Sequence, residues 1–241
     1  MGEYTSIKNM NDALRNMIPE KVARTIRFLK RQLRHVPADE DVYFDADTVY
    51  KGHFKVTYRG VSAIRCPFDY VIYQMLITNL KPDLVIEIGT NVGGGALYIA
   101  DLMNTIGHGT VHTIDIKKQS DEIISRHPRI RLFTDGWQGY DVKEAAGFSK
   151  ILVIEDASHM YEDSIGSLEK FSPLVSVGSY YIVEDGIASE VKKGGGFHGG
   201  PLRAIREFLP KHPDFEVDRS YCDMFGKNAT FNINGYLKRT S

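Results

Sequence analysis

Hydrophobic residues in the second half of the chain come in short runs that alternate with polar, glycine-containing turns. Runs of this length that are rich in valine, isoleucine and aromatic residues predict buried β-strands. The predicted strands are Leu84–Ile88, Thr110–Ile116, Ile130–Phe133, Ile151–Ile154, Ser179–Val183, Phe215–Val217 and Ala229–Leu237, the last a candidate antiparallel strand.

Predicted helices alternate with these strands. They are Phe68–Leu80, Ala96–Met103, Ser164–Phe171 and Leu202–Leu209. Alternating strands and helices predict an α/β fold with a doubly wound, mostly parallel, Rossmann-like sheet. Ligands bind such sheets at the carboxyl ends of the strands, so these ends are where functional residues are expected.

The first part of the chain has a different pattern. Asn9–Met17 and a segment from Pro19 to about Leu33 are predicted to be helical, and residues 37–62 alternate irregularly. We therefore expect N-terminal helices and a cap segment over residues 1–66. Residues 67–241 are expected to form the ligand-binding domain, with the whole chain folding as one compact unit.

Composition narrows the class of protein. The net charge is −1, with 42% hydrophobic and 25% charged residues, which is typical of a globular enzyme and gives no global attraction to nucleic acid. The two cysteines fit neither a disulfide framework nor a metal-binding spacing. No apolar stretch reaches the roughly 20 residues needed to cross a bilayer, and the N-terminus is polar. A cytoplasmic enzyme is the expectation.

A glycine-rich turn follows the first predicted strand, in the sequence Glu87-Ile-Gly-Thr-Asn-Val-Gly-Gly-Gly95. It lacks the Gly-Lys-Ser/Thr ending of a phosphate-binding loop, and Asn91 replaces the middle glycine of the dinucleotide fingerprint. A carboxylate directly before the turn suits a cationic or amine-bearing ligand. Asp115 ends the second strand, where an acid can accept hydrogen bonds from a ribose diol. The alternative is a tight strand-to-helix turn without a ligand.

This arrangement resembles the S-adenosylmethionine (SAM) site of class I methyltransferases. The resemblance implies cofactor contacts from Glu87, Gly89, Thr90, Asn91, Gly93 and Asp115. After the third strand, Asp135 would accept from the adenine amino group and Trp137 would stack on the ring. Trp137 fits core or lid packing equally well.

Acidic residues end two further strands. Asp156 follows Ile151–Ile154, and Glu184 and Asp185 follow Ser179–Val183. Carboxylates on neighbouring strands repel unless a cation lies between them, and ligand sets made of oxygen atoms favour Mg²⁺. His159, three residues beyond Asp156, would accept a proton from whatever the ion holds. Helix caps, surface charges and an ordinary histidine are the alternatives.

The motifs around these acids resemble the cephalosporin hydroxylase-like family, which includes rhamnosyl O-methyltransferases. Asp156-Ala-Ser-His159 and the run from Ser172 to Asp185 carry the likeness, with Tyr58-Arg-Gly-Val61, Pro67-Phe-Asp69, Gly200-Pro-Leu202 and Phe231–Arg239. It covers roughly residues 50–239. The acidic motif also resembles that of metal-dependent macrolide-sugar O-methyltransferases.

The resemblance implies a Mg²⁺- and SAM-dependent O-methyltransferase that acts on a hydroxyl of a sugar or another polyhydroxylated acceptor. Asp156, Glu184 and Asp185 would hold the metal, and His159 with Asp156 would serve catalysis. A homo-oligomer and a small-molecule or glycan acceptor are also implied.

Other functions stay open from the sequence. The family name suggests hydroxylation, but the cluster has one histidine rather than the two of an Fe(II) facial triad. A non-catalytic SAM-binding partner is a further alternative, and a nicotinamide dehydrogenase is disfavoured by Asn91. The stretch Gly194–Gly200 is a candidate mobile lid or a plain surface loop.

Overall fold

The computed structural model describes residues 44–117, 120–188 and 196–241, together with Pro19, Val22, Thr25 and Val42. The predicted helix at Asn9–Met17, most of the second N-terminal helix and the start of the predicted lid lie outside the described residues. Asp45–Ser241 form one compact unit, which includes part of the predicted cap segment.

Nine strands are formed by the described residues. They are β1 (Thr57–Tyr58), β2 (Val61–Ser62), β3 (Leu84–Ile88), β4 (Thr110–Ile114), β5 (Ile130–Phe133), β6 (Ile151–Glu155), β7 (Tyr180–Val183), β8 (Phe215–Val217) and β9 (Tyr236–Arg239). The α-helices are α1 (Ala46–His53), α2 (Pro67–Leu80), α3 (Gly94–Ile106), α4 (Glu122–Arg126), α5 (Gly136–Gly139), α6 (Tyr161–Phe171), α7 (Gly200–Phe208) and α8 (Arg219–Cys222). Three short 3₁₀ turns occupy Val142–Ala145, Ser172–Leu174 and Leu209–Lys211.

Seven strands form one sheet in the order β5-β4-β3-β6-β7-β9-β8. The five strands from β5 to β7 are parallel, whereas β9 runs antiparallel to both β7 and β8. The prediction of a doubly wound, mostly parallel sheet with an antiparallel last strand is confirmed. The order reverses between β3 and β6, which is the topological switch point where ligands bind.

Alternation along the buried strands explains why helices cover both faces. In β3, Val85 belongs to the apolar cluster that contains α2 and α3, while Leu84 and Ile86 belong to the cluster that contains α6 and α7. Successive side chains of a strand point to opposite faces, so a strand that is apolar at every position must be covered on both sides. The sheet is therefore the centre of a three-layer core.

The cap segment is more regular than the sequence pattern predicts. It contains α1, whose first turn is capped by the Asp45 side chain accepting from the Thr48 amide at 2.8 Å, and the β1–β2 hairpin. The aspartate cap followed by Ala-Asp-Thr was the local signal for this helix. No described helix combines the length and the apolar character needed to cross a bilayer.

Gly89, at the end of β3, is predicted to tolerate no side chain. Its φ is +108°, and a Cβ there would lie 1.9 Å from the carbonyl oxygen of Asp156. We expect Gly89→Ala to lower the free energy of unfolding by about 3 kcal/mol or more, because the clash forces the backbones at the ends of β3 and β6 apart. Gly107→Ala is the matched control: its φ is +71° but its Cβ would meet nothing within 4 Å, so only about 1–2 kcal/mol of backbone strain remains. Urea unfolding of both variants measures the difference, and equal losses would contradict the clash.

The buried imidazole of His112, in β4, is predicted to make the free energy of unfolding depend on pH. Its ring is buried, Nδ1 lies 2.8 Å from the Tyr140 hydroxyl, and Nε2 has no partner among the described residues. Burial lowers the pKa of His112 to about 4. Because the unfolded chain binds this proton near pH 6.5, the stabilisation is complete above pH 6.5 and is lost as the pH falls towards 4.

Relative to His112→Phe, the wild type should lose about 1–2 kcal/mol of unfolding free energy between pH 7 and pH 5. Urea unfolding of both proteins at the two pH values tests this. A difference between them that does not change with pH would contradict the buried, neutral imidazole.

Candidate active site

A cavity of about 630 Å³ opens at the carboxyl ends of β3, β4 and β6 and beside that of β7. Its lining falls into two parts. One part comprises the glycine-rich turn after β3 with the residues that end β4 and begin α5. The other comprises Asp156, His159 and Asp185 with aromatic residues of α1. The sheet therefore brings the two predicted functional regions to one cavity.

Buried polar contacts fix the first part. Glu87 is 1% exposed, and its carboxylate accepts a hydrogen bond from the Thr113 hydroxyl at 2.6 Å. The Thr90 and Thr113 hydroxyls lie 2.7 Å apart. Asp115 accepts from the Asn91 amide at 2.8 Å, and Asn91 adopts the left-handed backbone (φ 49°) that the turn requires. The carboxylates before and after the turn are thus held rigidly at the cavity wall.

Six of the eight predicted cofactor-binding residues line the cavity: Glu87, Gly89, Thr90, Asn91, Asp115 and Trp137. Gly93 and Asp135 do not. A Cβ on Gly93 would strike Ile124, so this glycine serves the packing of the turn against α4. Asp135 lies at the start of α5, where its side chain packs against Gly139. The geometry therefore gives neither residue a direct place in the cavity.

Trp137 is fixed at the wall of the cavity. Its Nε1 donates to Asp163 at 3.2 Å, and its ring packs on Gly166 of α6, where a Cβ would lie 2.6 Å from the ring. Asp163 also accepts from the Ser158 hydroxyl. Asp163 lines the cavity as well, and the sequence analysis did not select it. Trp137 is consequently both a packing residue and a cavity residue.

The second part contains a compact group of potential metal ligands. One ligand atom each from Asp156, His159 and Asp185 lies within 4.8 Å of the others, and His159 Nε2 is 3.3 Å from Asp185 Oδ2. Their side chains are 22–23% exposed, so they can be reached from the cavity. Both His159 and Asp185 have left-handed backbones, with φ of 58° and 54°.

The raised pKa values of the two carboxyl groups indicate that the site would be stabilised by a cation. Burial, followed by the charges of Glu184 and Asp185, raises the pKa of Asp156 well above its usual range. Burial also raises the pKa of Asp185, and the neighbouring His159 partly opposes that rise. Carboxylates that resist ionisation in this way are stabilised by a nearby cation. Two carboxylates and an imidazole whose ligand atoms lie within 4.8 Å of one another can bind a divalent ion, and carboxylate oxygens are the ligands that Mg²⁺ prefers.

Glu184 has different contacts from those predicted. Its carboxylate accepts from Arg65 in a bidentate pair, at 2.7 and 3.1 Å, and from the Tyr73 hydroxyl at 2.6 Å. Glu184 is 3% exposed and does not belong to the ligand group. Successive residues after β7 point in opposite directions, so Asp185 faces the cavity while Glu184 faces α2. The predicted metal set of Asp156, Glu184 and Asp185 stays a prediction, and His159 joins Asp156 and Asp185 in the group whose ligand atoms lie within 4.8 Å of one another.

Arg65 is the principal residue that the sequence analysis missed. Its Nη2 lies 3.6 Å from Asp156 and 3.9 Å from Glu87, in addition to its pair with Glu184. The guanidinium is also stacked over the Tyr73 ring, 4.5 Å from the ring centroid. One buried arginine therefore shares its charge among acids from both parts of the cavity. The only sequence signal was its place between two family-like motifs.

Both nitrogens of the His159 imidazole have defined surroundings. Nε2 lies 3.3 Å from Asp185 Oδ2, and Nδ1 is buried without a hydrogen-bond partner among the described residues. The role of His159 as a base stays a prediction, and its place beside Asp156 and Asp185 makes it a candidate ligand as well.

Comparison with known proteins agrees with the geometry. The profile of the rhamnosyl O-methyltransferase/CmcI family matches residues 50–240. The rhamnosyl O-methyltransferase of Mycobacterium tuberculosis is 30% identical over 230 residues, which cover 90% of this chain and 93% of the relative. That of Mycobacterium leprae is 29% identical over 201 residues, covering 79% and 87%.

Solved structures share the fold. A CmcI structure with SAH superposes with a TM-score of 0.62 at 18% identity, covering 86% of this chain and 94% of that one. A CmcI structure with Mg and SAM gives 0.60 at 20% identity, covering 86% of each chain. The O-methyltransferase TomG from Streptomyces achromogenes gives 0.51 at 14% identity, covering 85% and 94%. The chain thus has the class I methyltransferase fold and belongs to the rhamnosyl O-methyltransferase/CmcI family.

Proposed function

We propose that this protein is a Mg²⁺-dependent O-methyltransferase that transfers a methyl group from SAM to a hydroxyl of a sugar or a related polyhydroxylated acceptor. Membership of the rhamnosyl O-methyltransferase/CmcI family supports SAM-dependent O-methyl transfer. The group of potential metal ligands supports metal dependence, and the named relatives support a sugar acceptor. The observation that carries it is the convergence of Asp156, His159 and Asp185 beside the glycine-rich turn in one cavity.

The turn supports the cofactor assignment. Glu87 presents a carboxylate at the cavity wall, where it would bind the ammonium group of SAM, and Asp115 would bind the ribose hydroxyls. Neither residue suits a pyrophosphate, because both are acidic. The mycobacterial relatives are named rhamnosyl O-methyltransferases, which supports a deoxysugar or related acceptor for this chain too.

The ligand group supports the metal assignment. When bound, SAM supplies an electrophilic methyl group and Mg²⁺ supplies positive charge that acidifies a nearby hydroxyl. Asp156 and Asp185 would hold the ion and so fix where that hydroxyl lies relative to the donor. Arg65 pairs with Glu184 at 2.7 Å and lies 3.6 Å from Asp156, so it shares its positive charge between the acidic residues that follow β6 and β7. A structure of CmcI, a protein with the same fold, has been solved with Mg and SAM, so Mg²⁺ is the first ion to test.

Tritium-labelled SAM and a panel of p-nitrophenyl glycosides, including the α-L-rhamnoside, test the proposal. We expect label to enter at least one glycoside, transfer to fall at least about 10-fold with EDTA, and Mg²⁺ to restore it. Transfer that is unaffected by EDTA would refute metal dependence. Binding of SAH without transfer to any glycoside would favour a non-catalytic SAM-binding partner.

Hydroxylation is not favoured by the described site. The group contains one histidine and two carboxylates, the reverse of the two-histidine facial triad of Fe(II) oxygenases.

A further inference from the structure

We propose that Asn232 is a positioning residue of the active site, which fixes the turn after β7 so that the Asp185 carboxylate lies beside Asp156 and His159. The inference rests on the proposed metal-dependent methyl transfer and deepens it, because it assigns a role in metal binding to a residue outside the cavity. The observations that carry it are the hydrogen bonds of one fully buried side-chain amide.

The turn after β7 is held against the segment 231–235, which precedes β9. Backbone hydrogen bonds fix both ends of the turn, from the Val183 amide to the Gly235 carbonyl oxygen at 2.9 Å and from the Ile187 amide to the Phe231 carbonyl oxygen at 3.0 Å. Between them, the Asp185 amide donates to the side-chain oxygen of Asn232 at 3.3 Å. The middle of the turn, which carries the candidate ligand, is therefore held by Asn232.

The backbone of Asp185 requires such support. Its φ is 54°, in the left-handed region that residues with a side chain seldom adopt unless surrounding contacts impose it. The next residue, Gly186, packs so closely that a Cβ there would lie 3.0 Å from the Ile233 carbonyl oxygen. Loss of the Asn232 contact would therefore release a strained backbone exactly where the Asp185 carboxylate is attached.

The amide of Asn232 has one orientation that satisfies all of its neighbours. Because the Asp185 N–H can only donate, the side-chain oxygen of Asn232 faces it, and the NH₂ group faces the hydroxyls of Tyr236 and Tyr73 at 3.2 and 3.5 Å. Each hydroxyl donates in turn to a buried carboxylate, Tyr73 to Glu184 at 2.6 Å and Tyr236 to Asp69 at 2.8 Å. Asn232 thus uses its acceptor and both of its donors.

Burial makes this network hold a single arrangement. Asn232 is 0% exposed and does not line the cavity. A buried polar group that loses its partners is not compensated by water, so the amide and its partners stay paired. Asn232 would therefore act on a bound ion only through other residues, namely the backbone of Asp185 and the tyrosine that holds Glu184.

A purely structural role for Asn232 is the alternative. Both roles predict that removal of the amide lowers stability. Only the positioning role predicts that metal affinity falls further than in another variant of equally lowered stability, since residues that orient a metal ligand typically change metal affinity about 10–100-fold.

Asn232→Leu keeps nearly the volume of the side chain and removes all of its hydrogen bonds. Titration with Mn²⁺ in the presence of SAH, followed by the EPR signal of the free ion, measures metal affinity without an acceptor. We expect the Mn²⁺ dissociation constant to rise about 10-fold or more, with the SAH dissociation constant within about 3-fold of wild type. A rise of less than about 3-fold for Mn²⁺ would overturn the proposal.

Met103→Ala is the matched control for lost stability. Met103 is buried in α3 beside Gly109, at the end of the sheet opposite the cavity. Urea unfolding midpoints should fall in both variants, whereas Mn²⁺ affinity should fall only in Asn232→Leu. An equal loss of Mn²⁺ affinity in both variants would show that lowered stability is the cause, which would also overturn the proposal.

Amide hydrogen exchange, followed by NMR, tests the contact in the wild type without metal or acceptor. The Asp185 amide should exchange about 100-fold more slowly than an unbonded amide, and Asn232→Leu should remove most of this protection while Ile187 keeps its own. An unprotected Asp185 amide in the wild type would overturn the proposal even if no variant folds. A wild type that binds no Mn²⁺ would instead count against the proposed function, and the exchange result would still decide whether Asn232 holds Asp185.

Discussion

Methyl transfer by Asp156→Asn should fall at least about 100-fold at saturating SAM, with SAH affinity within about 3-fold of wild type. The amide keeps the shape of the side chain but removes the charge that, with Asp185, would hold the cation. Losing several kcal/mol of transition-state stabilisation by the metal corresponds to a fall in rate of about 100-fold or more. Steady-state rates with a labelled methyl donor, and calorimetric titration with SAH, measure the two quantities.

Asp141→Asn is the control for this substitution. Asp141 accepts from the Lys143 amide at 3.0 Å at the start of a 3₁₀ turn and does not line the cavity. Asparagine caps such turns as well as aspartate, so rate and stability should not change. An Asp156→Asn enzyme with undiminished transfer would contradict the proposed role of Asp156.

Arg65→Met should cause the largest loss of stability, about 3–5 kcal/mol of unfolding free energy. Arg65 and Glu184 are 2% and 3% exposed in their side chains, and removing the cation leaves the Glu184 carboxylate buried beside Asp156 and Glu87. An unpaired buried charge costs more than the pair itself contributes. Urea unfolding at pH 7 gives the value directly.

The double variant Arg65→Met with Glu184→Gln should recover much of this loss, because the uncompensated charge is removed as well. Arg126→Met is the surface control: Arg126 pairs with Glu122 on α4 with both side chains more than 70% exposed, and no measurable loss is expected. Equal losses from Arg65→Met alone and from the double variant would contradict the charge argument.

The pattern of the sequence was sufficient for the sheet and for much of the cavity. The strands β3, β5 and β8 have the predicted bounds, and β4, β6 and β7 differ by one or two residues at an end, because strands that are buried on both faces are unmistakably apolar. The last strand was predicted less well: β9 begins at Tyr236, seven residues after the predicted start, and Asn234 just before it has a left-handed backbone that a strand does not accommodate. Polar residues directly after such strands must lie at the same edge of a parallel sheet. This rule was enough to bring Glu87, Asp115, Asp156 and Asp185 to one cavity.

What the sequence did not predict depends on contacts between distant segments. Arg65 and Glu184 are separated by 119 positions, and nothing local marks either as the partner of the other. Glu184 is held away from the ligand group by buried contacts with Arg65 and Tyr73, which are distant in sequence. The left-handed backbone of Asp185 is likewise not a property of aspartate in general. Likewise, His53 reaches the cavity only because α1 forms and packs near Phe231.

A structure of the protein crystallised with SAH and Mn²⁺, as an anomalous substitute for Mg²⁺, tests the central claim most directly. The account predicts one anomalous peak about 2.1–2.3 Å from carboxylate oxygens of both Asp156 and Asp185, on the cavity side and next to the sulfur of SAH. SAH bound in the cavity with no peak between these two carboxylates would contradict it.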